Sequence, residues 1–356
     1  MNILVTAREA DNVTYRMLGE RSMLPGFRVY IAFVSEENFT ASRGKCFPLV
    51  ASPTRHKVSL HAIRDLRKII RAHKIDLVFS PSSSGLSNAL LASRGLSVRN
   101  VGYRGTQASI SRWDPTYHLG ILNPRVAHIV CETPDIKAYL SGFIPEEKLS
   151  VALKPFDITW GEQAARERKE VPGVPSDALH ILYIGVTRAR PYKGLKDLIL
   201  AFNLLRTPHV HLTIIGDYDA ADAELVRDRD RVHFLGDQPE AMRYLPGATL
   251  FVLPSHRDAS PRVVREAMAC GVPCIVTNIP GARDLIVDGE SGILTPPRDP
   301  QRMAQSIDTL LGDPERRERI GKAGAERIRT YFSFDTYIRY FADLFTRLSG
   351  EGKRGC

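Results

Sequence analysis

Two carboxylates, Asp258 and Glu266, are separated by seven residues within LPSHRDASPRVVREAMACGVPCIVT, the stretch from Leu253 to Thr277. An apolar, β-branched run from Ala248 to Leu253 precedes them and reads as a buried strand that stops at Pro254. Ser260 suits a helix N-cap, and Pro261 suits the first helical position, where its missing N–H would be unpaired anyway. A helix is therefore predicted to start near Pro261, turning its free N–H groups and positive dipole end toward the loop that holds Asp258. Such a junction binds anions such as a diphosphate. Glu266, between one and two turns into the helix, can accept hydrogen bonds from the two adjacent hydroxyls of a ribose, and Asp258 can hold a hydroxyl of a sugar. Acidic residues near a helix start also do nothing more than complement the dipole in many proteins, so the spacing alone leaves both readings open.

A second segment narrows the choice. Leu179 to Ile184 reads as a strand, followed by Gly185, a basic loop with Arg188, Arg190 and Lys193, and a helix over Leu195 to Leu205. Cations at the carboxyl end of a strand can clamp a diphosphate, Arg through a planar fork and Lys as a mobile point charge. Gly216 and Gly236 close two further strands, where a missing side chain lets backbone approach a ligand.

The run from Pro254 to Thr277 resembles the E-x7-E region of retaining, GT-B type glycosyltransferases of family 4, whose pattern is close to PSxxEGFGxVxxEAMAxGxPVVxT. The resemblance places Asp258 and Glu266 on the two acidic positions, and Arg188 and Lys193 keep the family interval between the Arg and the Lys of its Lys-Gly pair, with Arg190 as a substitute for Arg188. It implies that Asp258 orients the donor sugar, that Glu266 holds the ribose, and that amides near Ala259 and Ser260 contact phosphate or sugar. Arg188 and Lys193 then stabilise the departing diphosphate, with Gly185 and Gly216 beside the nucleotide. The resemblance also implies that the configuration at the anomeric carbon is retained, and neither cofactor nor metal is expected. Asp217 and Asp219 form an Asp-x-Asp that binds metal in a different glycosyltransferase class; Asp228 and Asp230 repeat it nearby, and neither is read as a metal site.

The pattern departs from the family in places. Asp258 stands where Glu is usual, Ala259-Ser260-Pro261 replaces a Gly-Phe-Gly turn, and Tyr218 replaces the second glycine after Gly216. In the first half, Ala7-Arg8-Glu9-Ala10 replaces a glycine-rich loop, Ser80-Pro81-Ser82-Ser83-Ser84 occupies a position often held by His, and Arg104 occupies another. Arg104, Arg8 and Arg112 suit a phosphorylated or acidic acceptor, and His118 suits an active-site imidazole; each also fits an ordinary surface or structural role.

The elements that must carry these residues follow from alternation. Strand-like runs at Ile3 to Val5, Val29 to Val34, Asp76 to Phe79, Asn100 to Gly102, His128 to Cys131 and Ser150 to Ala152 alternate with helical ones. The second half repeats this at Leu179 to Ile184, Val210 to Ile215, Val232 to Leu235, Leu250 to Leu253, Cys274 to Thr277 and Ile293 to Leu294. This predicts an α/β protein with two Rossmann-like domains, and the resemblance implies GT-B architecture with the nucleotide in a cleft between open, mainly parallel sheets. The expected domains are 1–158, joined by a final helix of about 333–356, and 179–332, with 159–178 as linker.

The chain has 356 residues, enough for two cores, and its 43% hydrophobic and 25% charged residues are ordinary for folded domains. No apolar run of about 18 residues predicts a membrane span, and the start lacks the regions of a signal peptide. Five scattered cysteines, Cys46, Cys131, Cys270, Cys274 and Cys356, point to reduced thiols in the cytoplasm, with Cys270 and Cys274 read as small core residues. The net charge of +9 calls for a polyanionic partner. Residues 55–74 carry seven Lys or Arg beside an apolar face of Ile63, Leu66 and Ile70, which fits either a helix docked on a sheet or one lying on an anionic membrane. Basic residues without interleaved aromatics speak against a nucleic-acid partner. The leading expectation is a glycosyltransferase that moves a sugar from a nucleoside-diphosphate sugar to a glycan or lipid-linked acceptor in cell-surface polysaccharide or lipopolysaccharide synthesis, at the inner membrane face. A sugar-nucleotide epimerase on the same fold and a nucleotide-sugar binding protein without chemistry are the alternatives.

Overall fold

The computed structural model describes residues 1–6, 26–33, 47–54, 56–106, 109–258 and 260–350. The chain forms two compact units, Met1–Pro155 with Phe334–Cys356, and Phe156–Ser333. In the first unit the strands are β1 (Asn2–Thr6), β2 (Arg28–Phe33), β3 (Phe47–Val50), β4 (Leu77–Ser80), β5 (Arg99–Arg104), β6 (Val126–Cys131) and β7 (Leu149–Val151). They pair in parallel in the order β3-β2-β1-β4-β5-β6-β7. Around them lie α1 (Leu60–Ala72), α2 (Ser83–Ala92), α3 (Pro115–His118) and α4 (Pro134–Ser141).

Strand periodicity explains how this sheet is covered on both faces. Ile3 and Val5 of β1 point to one side with Leu77, Phe79, Val101 and Val130, while Leu4 points to the other with Val78 and the α1 residues Leu66, Ile69 and Ile70. The expected strands are all present within a residue or two at their ends. β3 was not expected; Phe47 and Val50 are exposed on this edge strand, so it lacks a buried alternation.

α1 begins at Ser59, whose side chain accepts the Ala62 N–H. Its apolar stripe belongs to the core under the sheet, with Leu66 and Ile70 buried and Ile63 packed against them. The stripe is therefore not available to a membrane, although Arg64, Lys68, Arg71 and Lys74 on the remaining face are exposed. No helix among the described residues is long and apolar enough to cross a membrane.

In the second unit β8 (Leu179–Ile184), β9 (Val210–Ile215), β10 (Val232–Gly236), β11 (Leu250–Leu253), β12 (Cys274–Thr277) and β13 (Ile293–Thr295) pair in parallel in the order β10-β9-β8-β11-β12-β13. Helices α5 (Ile158–Arg166), α6 (Leu195–Phe202), α7 (Ala220–Glu224), α8 (Arg262–Ala269), α9 (Ala282–Leu285), α10 (Pro300–Leu311) and α11 (Pro314–Tyr331) surround them. Cys274 is buried at the start of β12 and Cys270 follows α8; burial raises both thiol pKa values, and that of Cys270 to about 12.

Residues 159–178, read as a linker, instead include most of α5. Asp157 caps this helix by accepting the Thr159 N–H, and the buried Gly161 presses against α8, where an added Cβ would lie 2.3 Å from the Ala269 carbonyl oxygen. The small residues that make this contact are hidden in the sequence by the charged residues around them.

The last helix, α12 (Phe334–Gly350), belongs to the first unit. Its Tyr337, Ile338, Phe341, Leu344, Phe345 and Leu348 fill the core over β1, β2, β4, β5 and β6. Phe341 meets Phe79 edge-on with ring centroids 5.2 Å apart.

Candidate functional site

The loop after β8 and the loop after β11 are forced together by one glycine. Gly194 has φ +77, and a Cβ there would lie 2.0 Å from the Pro254 carbonyl oxygen, so neither its conformation nor its contact admits another residue without rearrangement. Around this contact the His256 N–H donates to the Tyr192 carbonyl at 2.7 Å, and His256 Nε2 lies 2.8 Å from Asp197 Oδ2. The Arg257 guanidinium sits 4.4 Å from the Tyr192 ring centroid. The buried Tyr183 hydroxyl reaches the Lys193 carbonyl at 3.4 Å.

The result is a close charge pair: Lys193 Nζ donates to Asp258 Oδ2 at 2.5 Å, with side chains 15% and 16% exposed. Asp258 Oδ1 accepts the Ser260 N–H at 3.3 Å, so this carboxylate orders its own loop. Ser260 was expected to cap the helix. The N-cap is Pro261, in extended conformation, and α8 begins at Arg262 without a side-chain cap, because the Asp258 turn carries the chain one residue further before it coils.

Beside the pair lies a cavity of about 440 Å³, lined by Gly185, Arg190, Lys193, Gly216, Asp258 and Ser260 together with Asp237, Gln238, Ala241, Arg262 and Val263. Gly216, at φ +119, lets β9 end against β8; a Cβ would lie 2.2 Å from the Gly185 carbonyl oxygen. Tyr218, in place of a second glycine, packs its ring 4.5 Å from that of Phe234.

The structure separates the three basic candidates. Arg190 and Lys193 line the cavity, whereas Arg188 is paired at 3.3 Å with Asp217, its side chain 66% exposed. Glu266 is nearly buried, and Arg262 Nε lies 2.8 Å from its Oε1. Burial pushes the Glu266 pKa up, opposed by the charge and hydrogen bond of Arg262 and by the charge of Arg265. Ala259 lies outside the described residues. The sequence reading missed Asp237, Gln238, Ala241, Arg262 and Val263. The first two follow Gly236 where β10 ends, the place where parallel sheets meet ligands, and Arg262 stands four residues before Glu266, the interval of a helical ion pair.

In the first unit Arg104 Nε donates to the Thr106 carbonyl at 2.8 Å. His118 Nε2 lies 2.8 Å from the Arg112 carbonyl oxygen, and Arg112 itself donates to the Gly142 carbonyl and sits over the Phe143 ring. Arg8 lies outside the described residues. Sequence reasoning overlooked Glu132, buried just after β6, which faces Lys154 Nζ at 3.6 Å. It also overlooked the bond from Thr6 Oγ1 to Ser80 Oγ at 2.9 Å. All four residues stand where strands of the first sheet end. Among the described residues, no group of three His, Cys, Asp or Glu side chains is placed to share a metal ion.

Residues 165–327 match the family model "Glycosyl transferases group 1", a segment that lies within the second unit. Curated relatives include a glycogen synthase of Mycobacterium tuberculosis, 29% identical over 46% of this chain and 42% of its own length. A capsular polysaccharide biosynthesis glycosyltransferase, CapM, of Staphylococcus aureus is 31% identical over 44% of this chain and 43% of its own length. The chain thus spans under half the length of these two relatives. Among solved structures, a glycosyltransferase from Rickettsia africae matches 98% of both chains with a TM-score of 0.80 and 17% identity. HepE of Anabaena, solved in complex with UDP, matches 98% of this chain and 100% of its own with a TM-score of 0.75 and 18% identity. The α/β fold of two parallel sheets flanked by helices is that of GT-B glycosyltransferases.

Proposed function

We propose that this protein is a retaining glycosyltransferase of family 4 that transfers a sugar from a nucleoside-diphosphate sugar to a glycan or lipid-linked acceptor in cell-surface polysaccharide or lipopolysaccharide synthesis. The observation that carries this reading is the Lys193–Asp258 pair at 2.5 Å on the wall of a glycine-floored cavity at the strand ends of the second sheet. In this reading the diphosphate lies against Arg190, Lys193 and the start of α8, which offset the charge that develops as the sugar departs. Asp258 holds a sugar hydroxyl, and Glu266 receives those of the ribose.

The acceptor oxygen attacks the anomeric carbon from the face that the diphosphate leaves. The carbon–oxygen bond to the leaving group breaks as the new one forms, and the leaving phosphate oxygen takes the acceptor's proton. Protein cations supply the stabilisation, and no metal enters the step. Arg188, turned to Asp217, serves the diphosphate only if that exposed pair opens. In this reading the acceptor falls to the first unit, with Arg104, His118 and Arg8 as the candidate residues. The exposed basic face of α1 supports an encounter with an anionic inner membrane surface, from the cytoplasmic side.

The test is a thermal-shift screen against UDP, GDP, ADP, dTDP and CMP and their sugar conjugates. Selective stabilisation by one nucleotide and its conjugate, lost in Lys193→Ala, is the expected result. No shift with any of them sinks the donor-site reading.

A further inference from the structure

One cation at the site is not explained by the diphosphate clamp of Arg190 and Lys193. Arg262 is the first residue of α8, where the helix dipole disfavours positive charge. Its side chain is 68% exposed and lines the cavity, but Nε is held 2.8 Å from Glu266 Oε1 and the guanidinium carbon lies 5.8 Å from the Trp160 ring centroid. Lys193 is engaged in the same way by Asp258. Both acids of the motif are thus met by cations that belong to the cavity wall.

We infer that Arg262 is an exchange cation, paired with Glu266 while the site is empty and turned onto the diphosphate when the ribose hydroxyls take the carboxylate. This rests on the nucleotide-sugar reading given above. A ribose diol donates one hydrogen bond to each oxygen of a carboxylate, so it competes with Arg262 for Oε1. The released guanidinium keeps its charge and its planar fork, which matches two phosphate oxygens, and its position on the wall leaves it exposed to the cavity. A ligand that carries both a diol and a diphosphate uses both halves of the exchange. A nucleoside must displace Arg262 without offering it an anion, and free pyrophosphate meets an Arg262 still tied to Glu266. The ion pair therefore selects for the two groups joined in one molecule.

The experiment is a ligand-observed NMR titration of the full chain with three probes. They are the tightest binder among UDP, GDP and ADP, its parent nucleoside, and inorganic pyrophosphate. Wild type is compared with Arg262→Gln, Arg262→Lys, Glu266→Gln and the double variant Arg262→Gln/Glu266→Gln. Arg262→Gln is expected to weaken the diphosphate about tenfold while leaving the nucleoside unchanged or tighter, the loss being that of one charge-assisted contact. Arg262→Lys, which keeps the charge without the fork, falls between. Glu266→Gln is expected to tighten pyrophosphate, and the double variant to remove that gain. Equal weakening of nucleoside and diphosphate by Arg262→Gln makes Arg262 only a strut for Glu266 and overturns the exchange. A pyrophosphate gain that survives in the double variant overturns it too. A wild-type protein that binds none of the three diphosphates overturns the nucleotide-sugar reading itself, and the exchange with it.

Discussion

Both units place polar residues where their parallel strands end, but they employ them differently. In the second unit Lys193 meets Asp258, and Arg262 meets Glu266, with Lys193, Asp258 and Arg262 on the wall of a cavity; in the proposed exchange a ligand draws the cation from its carboxylate. In the first unit Glu132 is sealed to 5% side-chain exposure beside Lys154, and Gly105 lies so close that an added Cβ would stand 2.6 Å from its Oε2. Thr6 and Ser80 likewise satisfy each other in a buried bond. Exchangeable pairs suit a site that binds and releases a charged donor, whereas sealed pairs set the shape of a wall. The proposed transfer needs both, and the contrast says which residues carry binding energy.

The sharpest break of this contrast is Lys193→Ala. It is expected to lower kcat by about 10²- to 10³-fold, the usual loss when one donor to a developing negative charge is removed. Glu132→Gln should cost far less, and a steady-state comparison of the two variants in which they fall equally would erase the distinction between the units. Next comes Glu266→Ala, expected to weaken donor binding by about tenfold to a hundredfold through loss of charged hydrogen bonds, with the melting temperature little changed. Calorimetric titration with the nucleotide that binds checks it.

The two units should respond alike to acid. His128 in β6 and His180 in β8 are both buried, and burial lowers the pKa of each to about 4. Each is neutral in the folded protein and titrates near 6.5 when unfolded, so the unfolded chain binds more protons between those values. Stability is full above about 6.5 and is lost as pH falls toward 4, on the order of 3 kcal/mol for each residue. Melting curves from pH 7 to pH 4 should show the fall, and His180→Gln should flatten it for the second unit alone. The smallest effect is expected from EDTA: because the cations of the cavity wall are protein side chains, turnover should change less than about twofold, and strict dependence on manganese would contradict the proposed chemistry.

The legibility of the two units differs for physical reasons. Strands buried on both faces announce themselves as apolar runs, so β8, β9 and β12 were placed to the residue. The Asp258 to Glu266 segment was legible because its turn, helix and charges lie close together in sequence. Arg262 was overlooked although its ion pair is local, because an exposed arginine on a helix rarely has a task. Glu132 and Lys154 are far apart in sequence and meet only through the order of strands, which no local pattern encodes. α5 was misread because a charged run outweighed Gly161 and Ala164, the two small residues that decide where it packs.

The placement of α12 also has a bearing on how the protein is made. The sheet of the first unit is encoded before residue 152, but the aromatic residues that cover one of its faces arrive only after Phe334. During synthesis Phe79, Val101 and Val130 must therefore wait, uncovered on that side, while the whole second unit emerges. That unit is continuous in sequence, from Phe156 to Ser333, and can complete its fold first. A nascent chain stalled before α12 would carry a complete second unit and a first unit that still exposes an apolar face, the kind of surface that chaperones hold.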